Sequence, residues 1–586
     1  MTSAVSVTRL VEARTSVPEA VVQVLAEAGV DVVFGISGGY TGRLFAALAH
    51  HTDTIRTVLV RHESVGIAAA EAYGRLTGRP GVMIGQGAWL LSNAGPGLLE
   101  ALLGGSPVVL LGDLTDGSPV SHHGPYQAGT GEWGNWDAVM AFRGVCASVV
   151  APHEPVQAVQ SVQLALKHAL TGQRGPAAVL FHSAAIHGQV EPGSHPALFG
   201  TGHYLQPSEP VVPDLSDIAR RVRASRRPVL IVGGGAQRPT TEPELRALAV
   251  AEQIPIVTTA AGKGAVAESD PLCCGVFGNF GWPLANAVVS GADLVLAIGT
   301  KLGPSDTAGE NPDLLDPHRQ DLIQIDIEPR NAAWTYPAVA TVIADAGAAL
   351  AQLRDELART PTSAVVLAGR RAAHADAVDR QPRLLPERDS QATPIHPQRA
   401  ISELRRALPD DAVVCVDAGE NRLLMLRYFE TRPGGRYLQP SAAGGMGYAI
   451  PAALAAKLAL PGRVVVAVCG DGGFGMSLPA ILTAIEERVP VVVVVLNNRA
   501  LGWVRHGQLE RDEAAFKSEL HDFDLAAIAR AMGCHATRVE DPDLLSAALR
   551  DAISAGSPAV VEVVVSTAET YIDLRSPLVS APRRVS

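Results

Sequence analysis

The sequence predicts an α/β protein made of three doubly wound parallel-sheet domains, on three observations. Apolar, β-branched runs of strand length, such as VVVAV at 464–468 and VVVVVL at 491–496, show no polar alternation, as expected of strands covered on both faces. These runs end on glycine or turn residues and helix-like segments follow, which is the rhythm of βαβ units. The rhythm comes in three blocks, separated by stretches rich in Gly, Pro, His or Arg without periodicity. The domains read this way are 1–186, 214–356 and 397–586, with linkers at 187–213 and 357–396.

In the first block a helix is expected at 17–28 and a strand at 32–34, followed by Gly35-Ile36-Ser37-Gly38-Gly39. Further strands are expected at 57–60, 81–85, 107–111 and 177–181. The second block opens on a buried run at 228–232 that ends on three glycines. It continues with strands at 255–258, 294–298 and 322–327 and closes in an alanine-rich helix. The third block contains strands at 412–416, 464–468 and 491–496.

Composition sets the class. A chain of 586 residues that is 47% hydrophobic and 18% charged can bury large cores. A net charge of −11 argues against a general nucleic-acid or membrane-binding surface. The six cysteines follow no disulfide or zinc spacing, no apolar run is long enough to span a bilayer, and the start of the chain has no signal-peptide pattern. A cytoplasmic enzyme is expected.

The chemistry concentrates at 464–502. A right-handed crossover between the strands at 464–468 and 491–496 brings their carboxyl ends to one sheet edge, so Asp471 and Asn498 should meet. One carboxylate, one amide oxygen and a loop carbonyl such as that of Ala500 make a small set of hard ligands. Such a set suits Mg²⁺, which completes its shell with water and phosphate oxygens. Gly470, Gly472 and Gly473, in a turn at a helix start, offer N–H groups to the phosphates. The stretch reads as a metal-diphosphate clamp.

GDGG at 470–473 followed by NN at 497–498 resembles the thiamine-diphosphate motif of the family that includes acetolactate synthase, pyruvate oxidase and oxalyl-CoA decarboxylase. The resemblance in order and spacing covers nearly the whole chain and implies pyrimidine-binding, central and diphosphate-binding domains in that order. It implies that Asp471, Asn498 and the Ala500 carbonyl hold Mg²⁺, with Leu501 and Gly502 beside the cofactor. Arg61-His62-Glu63 resembles the segment that supplies the carboxylate next to the pyrimidine nitrogen N1′, which makes Glu63 the implied catalytic acid–base. Gly444-Gly445-Met446-Gly447 implies that Met446 wedges between the two cofactor rings, while the Gly444 carbonyl and Met446 N–H bind the pyrimidine edge. Its glycines suit close approach to a planar ligand. Gly38 and Asn93 are carried over as cofactor contacts in the first domain, and Gly419, Glu420 and Asn421 in the third. At Glu420 the backbone, or the neighbouring Asn421 amide, is expected to face the phosphates, because two anions repel.

The departures bear on the reaction. A Gly95-Pro96-Gly97 turn falls beyond Asn93 rather than before it, and Trp89 either reshapes the acceptor pocket or packs inward. Tyr126-Gln127 falls at an active-site pair of the family, so Gln127 is a candidate to bind a carbonyl oxygen. His122 and His123 are candidate proton shuttles or an exposed loop pair, and the tryptophan-containing segment at 129–136 could cover the site. Val504 stands where simple decarboxylases place a protonating glutamate, which favours carbon–carbon ligation. Trp503, Arg505 and His506 follow on an expected mobile loop. Glycines at 275–281 echo a flavin-binding pattern, yet the arginine that related enzymes use is missing, so FAD is possible but not expected.

The resemblance therefore implies a thiamine-diphosphate- and Mg²⁺-dependent carboligase. It would decarboxylate a 2-oxo acid such as pyruvate and pass the acyl group to an aldehyde or ketone. The alternative is a non-ligating decarboxylase or C–C lyase. A homodimer or homotetramer with active sites at the subunit interface is also implied.

Overall fold

The computed structural model describes residues 7–117, 124, 126–206, 211–381 and 386–578. They form three six-stranded sheets, every strand pair within them parallel. The chain divides into two compact units. One takes the residues up to Ser208 together with Ala442–Gly462 and Met476–Val491; the other takes Glu209–Ser441, Arg463–Gly475 and the stretch from Val492 on.

The first unit's sheet has the order Arg56–Leu59, Val32–Gly35, Gly81–Ile84, Val108–Asp113, Pro176–Phe181, Ser148–Val150. Its four inner strands are buried at every position, which is why they read as continuous apolar runs. Helix Glu63–Thr77 packs against helices Gly87–Gly104 and Ala449–Ala459. Small residues permit the approach: a methyl group added at Gly97 would stand 2.6 Å from Ile67 Cγ2, and one at Gly74 would stand 2.3 Å from the Pro107 carbonyl. Helix Ala449–Ala459 is buried from Ala449 to Ala456, so it carries almost no polar face.

The second unit holds two sheets. The order in the central one is Cys273–Val276, Ile256–Thr258, Pro228–Val232, Leu294–Ile298, Asp321–Asp326, Ala340–Ile343. In the other it is Arg436–Leu438, Val413–Val416, Val465–Gly470, Val492–Asn497, Ala559–Val564, His535–Val539. Lys263 and Glu268 are fully buried within this unit. Lys263 Nζ lies 2.6 Å from both carboxylate oxygens, and the backbone N–H of Thr431 donates to Glu268 Oε2 at 3.0 Å.

Four expectations need correction. The stretch 357–396 contains helix Ala364–Arg380, whose buried Arg370 donates to the carbonyls of Val222, Ser225 and Glu252 and pairs with the Glu252 carboxylate. The stretch 187–213 contributes Gln189–Val190, which pairs antiparallel with Thr15–Ser16. Gly95-Pro96-Gly97 lies inside helix Gly87–Gly104 rather than in a turn. The expected mobile loop after the clamp is helix Gly502–Glu510. For the helix at 364–380, tertiary partners supply what local composition lacks, because Arg370 anchors a segment with a weak apolar stripe.

Lys263→Met removes one partner of a buried ion pair and leaves the Glu268 charge without that ammonium. The loss should be about 3–5 kcal/mol, read as a lower onset of thermal unfolding. An onset equal to that of the wild type would contradict the account of the pair.

Candidate functional site

Strand Val465–Gly470 pairs with Val492–Asn497 in parallel register, Gly470 opposite Leu496. Asp471 is the first residue of helix Asp471–Glu486, so the glycines at 472 and 473 lie within its first turn instead of in a preceding loop. The Gly472 N–H donates to Asp471 Oδ1 at 2.8 Å. Burial pushes the Asp471 carboxyl up to about 6, against the opposing pull of the N–H groups of Gly472, Arg499 and Ala500. Arg499 and Ala500 follow Asn498 directly, so Asp471 and the Asn498 turn do meet. Asp471 Oδ2 is buried and has no hydrogen-bond partner among the described residues. A buried carboxylate oxygen without a donor is what a hard cation takes.

Asn498 Oδ1 accepts the Ala500 N–H at 3.1 Å. The Leu501 N–H is taken by Ser518 O at 2.8 Å, which leaves it no hydrogen for a phosphate. Gly502 is buried, and a methyl group there would stand 2.2 Å from Glu420 Oε2 and 3.0 Å from Asn498 Nδ2. Gly419 has φ 100°, a left-handed conformation that favours glycine, and begins helix Glu420–Tyr428. Asn421 Nδ2 donates to Asp417 O at 3.1 Å, and its Oδ1 stands 3.7 Å from where a Gly470 methyl group would be. A methyl group on Gly473 would be 3.0 Å from the Asp417 carboxyl carbon. The Glu420 side chain has partners that the sequence did not suggest: Oε1 receives His506 Nδ1 at 2.7 Å and the Tyr571 N–H at 2.8 Å. Trp503 stacks on Tyr571 with ring centroids 4.9 Å apart, while Val504 is exposed. The Cys469 thiol on the clamp strand is pushed far up by burial, with Asp417 and Asp471 adding to the shift.

In the other unit Glu63 opens helix Glu63–Thr77 and is buried. Its Oε2 accepts Asn93 Nδ2 at 2.8 Å, which joins two of the residues read from the sequence. Arg61 pairs with Glu486, and His62 caps the helix by accepting the Ser64 N–H. The Gly38 carbonyl accepts Thr41 Oγ1 at 2.7 Å. Gln127 has φ 69°, an uncommon conformation for a side-chain-bearing residue, and its Oε1 lies 3.4 Å from Gln86 Nε2. Trp89 is exposed, which decides against inward packing. His122 and His123 lie outside the described residues.

The Gly444–Met446 segment is held by a network that the sequence reading missed. Glu100 accepts the N–H groups of Ala442, Ala443 and Gly444 at 3.0, 2.8 and 3.1 Å, and also pairs with Arg75. Arg75 pairs with Glu71, which accepts Ser106 Oγ at 2.6 Å and Tyr448 Oη at 2.7 Å. Gly444 has φ 73°, and Met446 remains 37% exposed despite its apolar side chain. The available signal was Glu71 in an alanine-rich helix and Glu100 between leucines, since a charge in an apolar stretch is seldom buried without a partner.

Residues 15–129, 215–353 and 417–563 match, in that order, the N-terminal TPP binding domain, the central domain and the C-terminal TPP binding domain of thiamine pyrophosphate enzymes. The chain belongs to the thiamine pyrophosphate enzyme family. It is 29% identical to the acetolactate synthase large subunit of Parasynechococcus marenigrum, over 95% of this chain and 89% of that one. It is 28% identical to the corresponding subunit of Corynebacterium glutamicum, over 94% and 88% of the two chains. It is 30% identical to the Pseudomonas aeruginosa protein named "Probable 2-ketoarginine decarboxylase AruI", over 93% of each.

Glu100→Ala removes the acceptor of three adjacent N–H groups. Hydrogen exchange at 442–444 should accelerate roughly tenfold or more, as loss of a buried hydrogen-bond partner does. Unchanged exchange would show that another group holds the segment.

Proposed function

We propose that this enzyme is a thiamine-diphosphate- and Mg²⁺-dependent carboligase of the acetolactate synthase type, acting in the cytoplasm on a 2-oxo acid donor and an aldehyde or ketone acceptor. The observation that carries the reading is the Asp471 carboxylate, one oxygen of which is buried without a partner among the described residues, beside the Asn498–Ala500 turn. Asp471, Asn498 and the Ala500 carbonyl would hold Mg²⁺, and the helix start at Gly470–Gly473, with the Asn421 amide, would face the diphosphate. When bound, thiamine diphosphate supplies the electron sink for loss of CO₂ and acyl transfer.

Glu63 holds a proton at the pyrimidine nitrogen N1′ and is oriented for that by Asn93. Burial keeps bulk water from competing for that proton. Met446 offers an apolar surface on which the two cofactor rings can fold, and Glu100 fixes the backbone that carries it. Gln127 binds the carbonyl oxygen of a substrate. Val504 has no proton to give, which prolongs the interval in which a second carbonyl can be attacked.

A homodimer or homotetramer is part of the reading. Trp89, Leu99 and Leu103 project from helix Gly87–Gly104 as exposed apolar side chains, the kind of face a second copy covers. The second reading, decarboxylation without ligation, draws support from the likeness to the protein named for 2-ketoarginine decarboxylation.

Incubation with Mg²⁺, thiamine diphosphate and pyruvate, with and without a panel of aldehydes, should yield acyloin or acetohydroxy acid products by mass spectrometry. Free aldehyde alone would overturn ligation in favour of decarboxylation. Glu63→Gln should lower turnover by about 10²–10⁴-fold while the cofactor still binds. Asp471→Ala should abolish Mg²⁺-dependent cofactor retention; tight retention by that variant would refute the clamp.

A further inference from the structure

Asn497, the residue just before the clamp asparagine, is 2% exposed and ends strand Val492–Asn497. Its side chain has two neighbours of opposite character. Nδ2 donates to Glu562 Oε1 at 2.7 Å, and Oδ1 accepts the Arg499 N–H at 3.0 Å. A carboxylate only accepts and an N–H only donates, so the amide has a single orientation that satisfies both. Glu562 lies on the adjacent strand Ala559–Val564 and is fully buried. Besides Asn497 it takes Arg538 Nη1 at 2.9 Å on Oε1 and the Ala526 N–H at 2.9 Å on Oε2.

The residue that Asn497 grips is strained. Arg499 has φ 57°, a left-handed conformation that is uncommon for a residue with a side chain. Its carbonyl accepts the Leu520 N–H at 2.7 Å, and its guanidinium lies 3.1 Å from Asp522 Oδ2. Asp522 in turn pairs with Arg538 at 3.0 Å, which closes the network back on Glu562. Arg499 stands between Asn498 and Ala500, so its backbone angles set where the Asn498 amide and the Ala500 carbonyl point.

We propose that Glu562, acting through Asn497, is a positioning residue for the cation clamp: it holds Arg499 in the left-handed conformation that aims Asn498 and the Ala500 carbonyl at one point. The inference rests on the clamp reading given above. Mg²⁺ tolerates little departure from octahedral geometry, and the groups behind metal ligands typically govern affinity by 10–100-fold.

The test is equilibrium dialysis of thiamine diphosphate against the full-length apoprotein over a Mg²⁺ titration, with wild type, Glu562→Gln and Asn497→Ala in parallel. Asn497→Ala leaves Glu562 its Arg538 and Ala526 donors, so it answers the question even where Glu562→Gln does not fold. The expected result is a rise of about tenfold or more in the Mg²⁺ concentration for half-maximal binding, with binding restored at saturating Mg²⁺. A half-maximal concentration within about twofold of wild type, even with a lowered melting temperature, would overturn the inference and leave Glu562 a structural residue. Wild-type protein that shows no Mg²⁺-dependent binding would overturn the clamp reading itself, and this inference with it.

Discussion

The sheet edge at Asp471 is organised around one carboxylate oxygen that has no hydrogen-bond partner among the described residues. Asp471 sits at the carboxyl end of a strand buried in a parallel sheet, where the backbone direction of every neighbouring strand brings turns to the same edge. Burying a carboxylate oxygen without a donor is unfavourable, and the upward push on the Asp471 pKa expresses that penalty. The small residues nearby follow from the same demand: Gly470, Gly473 and Gly502 stand where side chains would fill the space against Asn421, Asp417 and Glu420.

The other buried carboxylates are treated in the opposite way. Glu71, Glu100, Glu268 and Glu562 each receive several donors from the protein itself. Glu100 and Glu562 hold backbone segments in place, one at Gly444 and the other, through Asn497, at Arg499. Glu420 belongs to the same class. Its Oε1 ties helix Gly502–Glu510 and the segment at Tyr571 to the clamp edge through His506 and the Tyr571 N–H. The contrast among buried carboxylates thus sets Asp471, with one oxygen that has no partner among the described residues, apart from those that fix geometry.

The chemistry after the clamp turns on side chains that the fold presents rather than on the fold itself. Helix Gly502–Glu510 buries His506 on one side and exposes Val504 on the other, because positions two apart on a helix face nearly opposite directions. An apolar residue thus stands on the exposed side, and on the buried side His506 is held through Nδ1 by Glu420, while its Nε2 has no hydrogen-bond partner among the described residues.

By itself the sequence determined the three parallel sheets, the Asp471–Asn498 meeting and the chain positions of Glu63 and Met446. These follow from strand-length apolar runs, from crossover handedness and from short motifs, all of which are local or nearly so. The Glu63–Asn93 hydrogen bond was half legible, since both residues were named but their contact was not. Tertiary structure alone decided the partners of Glu420, the Glu100 grip on the Gly444 segment and the helix at 364–380. Their partners lie far away in sequence: Glu100 binds residues more than three hundred positions on, and Arg370 anchors to carbonyls more than a hundred positions back. Side-chain hydrogen bonds over such separations leave no periodicity to read, only the oddity of a charge set in an apolar run.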